Sequence, residues 1–359
     1  MRWSLNHSKT TRRFLRRYKT DIVQRLIFIF LLIVNDFIYG QWFELSHEGV
    51  QRPYYVEYPS NGSSDVPLII NMHGFTNSVS YQIEQSQMNA FVNSKNVAVV
   101  YPQGINSLGI YSWNVGVAWD FNESDDITFI SNIIDQVSQD FVIDSTKIYA
   151  CGYSNGGFMT YELACELSNR IAAFGSVAGN FSLNIDQNCI DERDIPIIHV
   201  HGIVDAVVSY YGPSIDGSLT TPETIEYWKN KNDLDIESLE IINSNVEKIF
   251  YTKENSETKV VHYKVLNGDH EWVDDDWGFN TSEVLIDFFL QYSLNDFYEI
   301  IGNIIIGDID NNGSVTLSDA FTLISLINSG SEYQEVADIN FDGDVNIYDL
   351  CIVIDHLGS

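Results

Sequence analysis

The sequence predicts an α/β domain with a mostly parallel sheet flanked by helices, followed by a small all-α module. Three observations carry this prediction. Short apolar runs alternate with amphipathic segments from about residue 41 to 295, the pattern of strands joined by crossover helices. A serine sits in Gly152-Tyr153-Ser154-Asn155-Gly156-Gly157, between a strand-like run and a helix-prone one. Beyond residue 300, a loop rich in Asp and Asn occurs twice at an offset of 30 residues, an internal duplication.

The first 40 residues differ from the rest. Eight of the 19 basic residues lie there (Arg2, Lys9, Arg12, Arg13, Arg16, Arg17, Lys19, Arg25), opposed only by Asp21 and Asp36. The apolar run Leu26 to Val34 is too short for a bilayer core, which needs about 20 residues. A basic segment, a short apolar run and the small residue Gly40 predict a secretory signal peptide over residues 1–40, with Gln41 as the new N-terminus. An uncleaved membrane anchor is the alternative. Without residues 1–40, 11 basic and 48 acidic residues remain, a net charge of −37. A surface so acidic repels nucleic acid and anionic lipid, which excludes both as partners once the signal is cleaved.

Strands are expected at Val66 to Met72, Val97 to Tyr101, Lys147 to Cys151, Ile195 to His201 and Lys259 to Leu266. Helices are expected at Tyr81 to Lys95, Ile127 to Phe141, Gly156 to Leu167, Pro222 to Asn230 and Ser282 to Tyr292. The domain covers residues 41–295 and a short linker follows at 296–303. Export permits a disulfide. Cys165, on the helix after the serine turn, and Cys189, ahead of the next strand, are expected to pair. Cys151 lies inside a strand and reads as a buried apolar residue.

Strand, tight turn with a central serine, then helix is the setting of a nucleophile elbow. Its glycines remove side chains where the chain reverses. A serine hydroxyl needs an imidazole to take its proton and an acid to orient that imidazole. The chain order in this architecture is serine, acid, histidine. His262 lies within a strand and His356 in the duplicated tail, so His270, in the turn after a strand, is the expected base. Asp205 follows the strand ending near His201 and is the expected acid. Asp194 sits at the wrong end of that strand, and Asp216 is the rival. Asp269 and Glu271 read as solvated loop charge. Two backbone N–H groups are expected to hold the oxyanion: that of Asn155, after the nucleophile, and that of Phe75, in the loop His73-Gly74-Phe75-Thr76. Trp113, Trp119 and Trp272 are either an aromatic substrate platform or buried packing.

His73-Gly74, Tyr101-Pro102-Gln103-Gly104, Asp125-Asp126-Ile127-Thr128-Phe129-Ile130, the serine turn, His201-Gly202 with Asp205, and Gly268-Asp269-His270-Glu271-Trp272 occur in this order. Together they resemble the polyhydroxybutyrate depolymerase and feruloyl esterase family of α/β-hydrolases, across most of residues 60–295. The resemblance implies an α/β-hydrolase fold, the triad Ser154, Asp205 and His270, and no cofactor for catalysis. It also implies secreted hydrolysis of feruloyl, acetyl or related esters on plant or algal polysaccharide. A polyester depolymerase with the same chemistry is the alternative. A non-catalytic scaffold or adhesion protein with a hydrolase fold is the reading from another class, opposed by the full serine, acid and histidine set. Glu271 departs from the family pattern, which often has a small polar residue before the tryptophan.

In the tail, each loop places oxygen donors at positions 1, 3, 5, 7, 9 and 12 with glycine at position 6, which is calcium-loop spacing. The first set is Asp308, Asp310, Asn312, Ser314 (by its carbonyl), Thr316 and Asp319. The second is Asp338, Asn340, Asp342, Asp344 (by its carbonyl), Asn346 and Asp349. Two Ca2+ ions are expected. Both loops end in Asp, unlike the Glu of an EF-hand, and no good entering helix precedes them. The tail resembles a type I dockerin over about residues 304–359, which implies docking onto a cohesin-type scaffold protein. Loop positions 10 and 11, often a Ser/Thr pair in that family, are Leu317-Ser318 and Ile347-Tyr348 here, which leaves the partner unassigned.

Overall fold

The computed structural model describes residues 40–60, 62, 65–116, 122–182, 189, 193–212, 217–295, 309, 316–329, 337 and 345–358. The chain divides into Met1–Gln41 and Trp42–Ser359, and the architecture below is that of the second unit. Residues 1–39 of the expected signal peptide and the linker 296–303 lie outside the described residues. Among the described residues no helix is long and apolar enough to cross a membrane.

Ten strands form one sheet: β1 (Gly40–His47), β2 (Val50–Glu57), β3 (Val66–Met72), β4 (Ala98–Pro102), β7 (Ile143–Tyr153), β8 (Ala173–Val177), β9 (Ile197–Gly202), β10 (Ile236–Asn243), β11 (Val246–Thr252) and β12 (Val260–Val265). A separate small hairpin joins β5 (Ile105–Ser107) to β6 (Ile110–Ser112). The sheet order is β1-β2-β4-β3-β7-β8-β9-β12-β11-β10. Pairings from β4 through β12 are parallel, whereas β2–β4, β11–β12 and β10–β11 are antiparallel. The parallel centre is buried on both faces, as crossover helices require.

Strand periodicity sorts the core into two layers. Leu68, Ile70, Ala98, Val100, Ile148 and Ala150 face one side, where α3 (Asp126–Asp140), α4 (Asn155–Glu166) and α5 (Thr221–Lys231) add Phe129, Ile133, Phe158, Leu163 and Trp228. Ile69, Val99, Tyr101, Tyr149 and Cys151 face the other, where α6 (Thr281–Phe289) adds Leu285, Ile286 and Phe289. Cys165 and Cys189 form a disulfide, with Cα atoms 4.6 Å apart.

The expected helix from Tyr81 to Lys95 is broken. Helix α1 (Val79–Ser86) stops at Gln87, which takes φ 49° and caps the helix with its N–H on the Ile83 carbonyl. A 3-10 turn (Met88–Phe91) and the short α2 (Val92–Lys95) follow. Buried amide bonds explain the early stop. Gln82 Nε2 donates to Asn71 Oδ1 at 2.7 Å and Asn71 Nδ2 donates to Ser86 Oγ at 3.3 Å, tying the end of α1 to β3.

One buried ion pair anchors the segment around Trp113, which bonds Asn155 next to the serine. Arg52 Nη1 lies 2.6 Å from Asp126 Oδ1, both side chains being almost fully buried. The guanidinium carbon stands 3.5 Å from the Phe129 ring centroid, and Arg52 Nε donates to the Gln103 carbonyl at 3.0 Å. Asp126 Oδ2 accepts from Asn114 N–H at 2.8 Å and Asn122 Nδ2 at 2.9 Å. Burial pushes the Arg52 guanidinium down and the Asp126 carboxyl up, and their attraction opposes both shifts. Removing one partner leaves a buried charge uncompensated. Asp126→Ala is therefore expected to lower the unfolding free energy by about 3–5 kcal/mol. Arg52→Met with Asp126→Leu is expected to recover part of that loss, the remainder reflecting the bonds that Asn114, Asn122 and the Gln103 carbonyl lose. Urea unfolding of the three proteins measures both effects, and equal losses in the single and double replacements would refute the charge argument.

Candidate active site

β7 passes into α4 at Ser154, whose φ of 53° and ψ of −117° are rare for a residue with a side chain. Ser154 N–H donates to the Val177 carbonyl at 2.8 Å, and its own carbonyl accepts from Phe158 N–H at 3.0 Å. The turn is tight enough that a Cβ on Gly152 would overlap the Gly156 backbone, and one on Gly156 would overlap the Met72 carbonyl. Glycine is required at both places by close approach.

Three side chains from different strand ends meet here. His270 Nε2 lies 2.9 Å from Ser154 Oγ, and His270 Nδ1 lies 2.7 Å from Asp205 Oδ2. Asp205 is buried just beyond β9, and its Oδ1 accepts N–H bonds from Val207 and Val208, each at 2.8 Å. Burial works against its charge. Hydrogen bonds from His201 and His270 overcome burial and hold the carboxyl well below the usual carboxylate range. Tyr153 supports the histidine from below: its hydroxyl donates to the His270 carbonyl at 2.7 Å, and the rings are 5.0 Å apart.

Asp269 is more than solvated charge. Its Oδ1 accepts from Ala206 N–H at 3.2 Å and from His270 N–H at 2.9 Å, so one carboxylate joins the Asp205 and His270 loops. Asp194 is paired with Lys253, His262 is buried in β12, and Asp216 lies outside the described residues. A groove of about 490 Å³ lined by Lys248, Phe250, Tyr263 and Phe288 contains none of the three meeting side chains.

The loop after β3 packs directly on the serine. A Cβ on Gly74 would stand 3.3 Å from Ser154 Cβ and 3.0 Å from the Tyr153 ring. His73 is fully buried, and burial lowers its pKa to about 4, so it is neutral. Its Nδ1 bonds the Gly74 carbonyl at 2.8 Å, and its Nε2 accepts from Gly104 N–H at 2.9 Å. Asn155 opens α4, where a backbone N–H has no acceptor within the helix. Its side chain exchanges two bonds with Trp113: Oδ1 accepts from Trp113 N–H at 2.7 Å, and Nδ2 donates to the Trp113 carbonyl at 3.1 Å. Trp113 is buried and donates Nε1–H to the His73 carbonyl at 2.9 Å, so it braces this loop. Trp272 is buried as well, and Trp119 lies outside the described residues. Neither described tryptophan forms an exposed platform.

In the tail, helices α7 (Leu317–Ser329) and α8 (Ile347–Gly358) repeat at the offset of the loops, with Leu323 and Val353 as equivalent core residues. The last loop residues are fully buried carboxylates. Asp319 Oδ2 accepts from Thr316 N–H at 2.7 Å, and Asp349 Oδ2 accepts from Asn346 N–H at 2.7 Å. Each loop end is thus a helix cap, the mechanism of a capping box. All four donor groups are hard oxygens or amides of the kind calcium takes. Asp308, Asp310, Asn312, Ser314, Asp338, Asn340, Asp342 and Asp344 lie outside the described residues. Leu317, Phe321 and Ile324 on α7, and Ile347, Tyr348 and Ile354 on α8, are exposed.

The parallel sheet, the strained serine turn and the layered helices define an α/β-hydrolase. The chain belongs to the Phospholipase/Carboxylesterase family, whose model matches residues 56–249, and it carries a dockerin type I domain at residues 306–358. A bifunctional acetylxylan esterase/xylanase of Neocallimastix patriciarum is 32% identical over 163 residues, covering 45% of this chain and 23% of that protein. Feruloyl esterase B of Piromyces equi is 31% identical over 165 residues, covering 45% of this chain and 30% of that protein. The chain therefore spans less than a third of the length of either relative. Among solved structures, an acetyl xylan esterase from Aspergillus awamori aligns with a TM-score of 0.55 at 15% identity, covering 70% of this chain and 99% of that one, a likeness of fold.

Three buried histidines make stability depend on pH. Burial lowers the pKa of His73 to about 4 and that of His262 to about 3, and pushes His199 well below its ordinary value of 6.5. Their folded values are depressed, so the unfolded chain binds more protons below pH 6.5. Stability is then full above about pH 6.5 and falls steadily towards pH 4, by several kcal/mol in total. Chemical denaturation across this range checks the slope, and a flat profile would contradict it.

Proposed function

We propose that this protein is a secreted serine carboxylesterase that removes feruloyl, acetyl or related acyl groups from plant or algal polysaccharide, attached to a scaffold by its dockerin. The observation carrying the proposal is the hydrogen-bonded run Ser154–His270–Asp205, set on a strained turn after a buried strand. The two fungal relatives, named for acetylxylan and feruloyl ester cleavage, support the substrate class.

Ser154 Oγ attacks the ester carbonyl carbon as His270 Nε2 takes the hydroxyl proton. The carbonyl oxygen becomes an oxyanion, held by the N–H groups of Asn155 and Phe75. Asp205 stays ionised and stabilises the imidazolium through Nδ1–H. Collapse breaks the carbonyl–oxygen bond to the alcohol, which leaves with the proton from His270. Water, deprotonated by the same imidazole, then attacks the acyl carbon; the bond to Ser154 Oγ breaks, His270 returns the proton to Oγ, and the acid is released. These steps use only side chains and backbone of this chain, and no cofactor is invoked.

The tail is assigned two Ca2+ ions, one in each duplicated loop, held by the twelve oxygen donors of the two sets. Bound there, the ions neutralise converging carboxylates and fold a segment too short to build a secure core alone. The exposed apolar residues of α7 and α8 supply the surface for a cohesin-type partner.

Ser154→Ala is expected to reduce turnover of feruloylated and acetylated oligosaccharides by several orders of magnitude. Equal rates for wild type and variant, or wild-type activity confined to a polyester film, would sink the proposal. Chelation should unfold residues 304–359 and abolish cohesin binding while sparing hydrolysis of a small soluble ester. Calorimetry and an ester assay, each with and without EDTA, test both halves. A tail equally stable without calcium would refute the folding claim.

A further inference from the structure

A line of buried imidazoles runs behind Asp205. His199 and His201 occupy alternate positions on β9, point to the same face and are essentially unexposed. His201 Nε2 lies 2.9 Å from the Val208 carbonyl and 3.2 Å from Asp205 Oδ2. Both neighbours are acceptors, so this nitrogen must carry the proton. His201 Nδ1 lies 3.1 Å from His199 Nε2 and 3.2 Å from Thr221 Oγ1, whose own hydrogen is directed to Asn180 Oδ1 at 3.0 Å. With Nδ1 unprotonated, His199 must donate from Nε2. His199 Nδ1 then accepts the Tyr161 hydroxyl proton at 2.6 Å. The donors run one way from Tyr161 through His199 to His201, whose Nε2–H meets the Val208 carbonyl at 2.9 Å and stands 3.2 Å from Asp205 Oδ2. His262 stands beside this line, bonded to the Tyr210 hydroxyl at 2.8 Å and the His199 carbonyl at 3.2 Å.

We infer that His201 is a positioning residue that holds Asp205 Oδ2 on His270 Nδ1 through its one Nε2–H, shared between the Val208 carbonyl and that carboxylate oxygen, with His199 and Tyr161 fixing its tautomer. The inference rests on the ester-hydrolysis reading for its kinetic consequences. Two donors on one carboxylate oxygen locate that oxygen and draw off part of its charge. Without the His201 donor, Asp205 rotates more freely and pulls harder on the imidazole proton. The charged and titratable groups around this centre are His199, His201, His262, Tyr161 and Tyr210 behind Asp205, His270 on the loop after β12, Asp269 and Glu271 flanking His270, and Tyr153 bonded to its carbonyl.

The test compares His201→Leu, His201→Asn and His201→Gln with wild type on a soluble aryl ester. Gln reaches the position of Nε2 and keeps a donor for Asp205, whereas the shorter Asn does not. The Leu variant is expected to lose about tenfold in kcat with KM little changed. Its acidic limb of the kcat/KM profile should move to higher pH. Gln should restore most of the rate, and Asn should not. A folded Leu variant with wild-type kcat and pH profile overturns the inference. Should Leu fail to fold, equal kcat values for Asn and Gln overturn it. The downfield proton line of the His270–Asp205 bond gives a readout independent of substrate. It should move in the Leu or Asn variant, and an unchanged line counts against the inference. Wild type without ester turnover would instead refute the functional reading, leaving this spectral test standing.

Discussion

The chain reverses at Ser154 with positive φ, and the placement of the other reactive groups is set by that turn. A conformation of this kind costs about 1–3 kcal/mol and persists only where the surroundings over-determine it. Here β8 accepts the Ser154 N–H through Val177, α4 receives its carbonyl at Phe158, and the bare faces of Gly152 and Gly156 let the turn close. Gly74 then allows the loop after β3 to rest directly on Ser154 and Tyr153. The buried pair Arg52–Asp126 holds Asn114 and Asn122, and so the backbone around Trp113 that bonds Asn155. These parts connect to the serine turn through backbone bonds, side chain-to-backbone bonds and direct packing.

The acid side follows a different physical logic. A buried carboxylate is unfavourable until donors surround it. Asp205 has backbone N–H groups on one oxygen and two imidazoles on the other. Asp269 ties the loop bearing Asp205 to the loop bearing His270 through one carboxylate oxygen. Burial keeps His199 and His262, farther behind Asp205, neutral, so they add no charge to the interior.

Much of this was legible in the sequence, because central strands and elbow chemistry are local signals. β3 runs over Val66–Met72 as expected, and α3 and α4 begin and end within a residue or two of expectation. Strands β10 and β11 escape the sequence reading because β10 is largely exposed and β11 is half-buried beyond Val246, so neither shows a buried-exposed alternation. β8, Ala173–Val177, is five small or apolar residues and lacks the length of a clear signal. The break at Gln87 depends on Asn71 and Ser86, whose bonds to one another no local pattern announces. The residues around Ser154, Asp205 and His270 could be chosen from strand ends, but the roles of His201 and Asp269 could not. One signal was available: His199 and His201 alternate on a strand leading to an acid, which places both on the face that the acid shares.

The tail shows the same economy of residues. Thr316 and Asn346 cap their helices, while Asp319 and Asp349 fold back on the cap backbone, so the loop ends are preshaped by helix capping. Ser154 as nucleophile is tested most directly by a rapid-mixing burst with a feruloyl aryl ester followed by mass analysis of the quenched protein. About one equivalent of alcohol should be released per enzyme in the burst. One feruloyl adduct should appear on the peptide containing Ser154. Steady turnover with no adduct on that peptide in wild type, and the same rate in Ser154→Ala, would contradict that role.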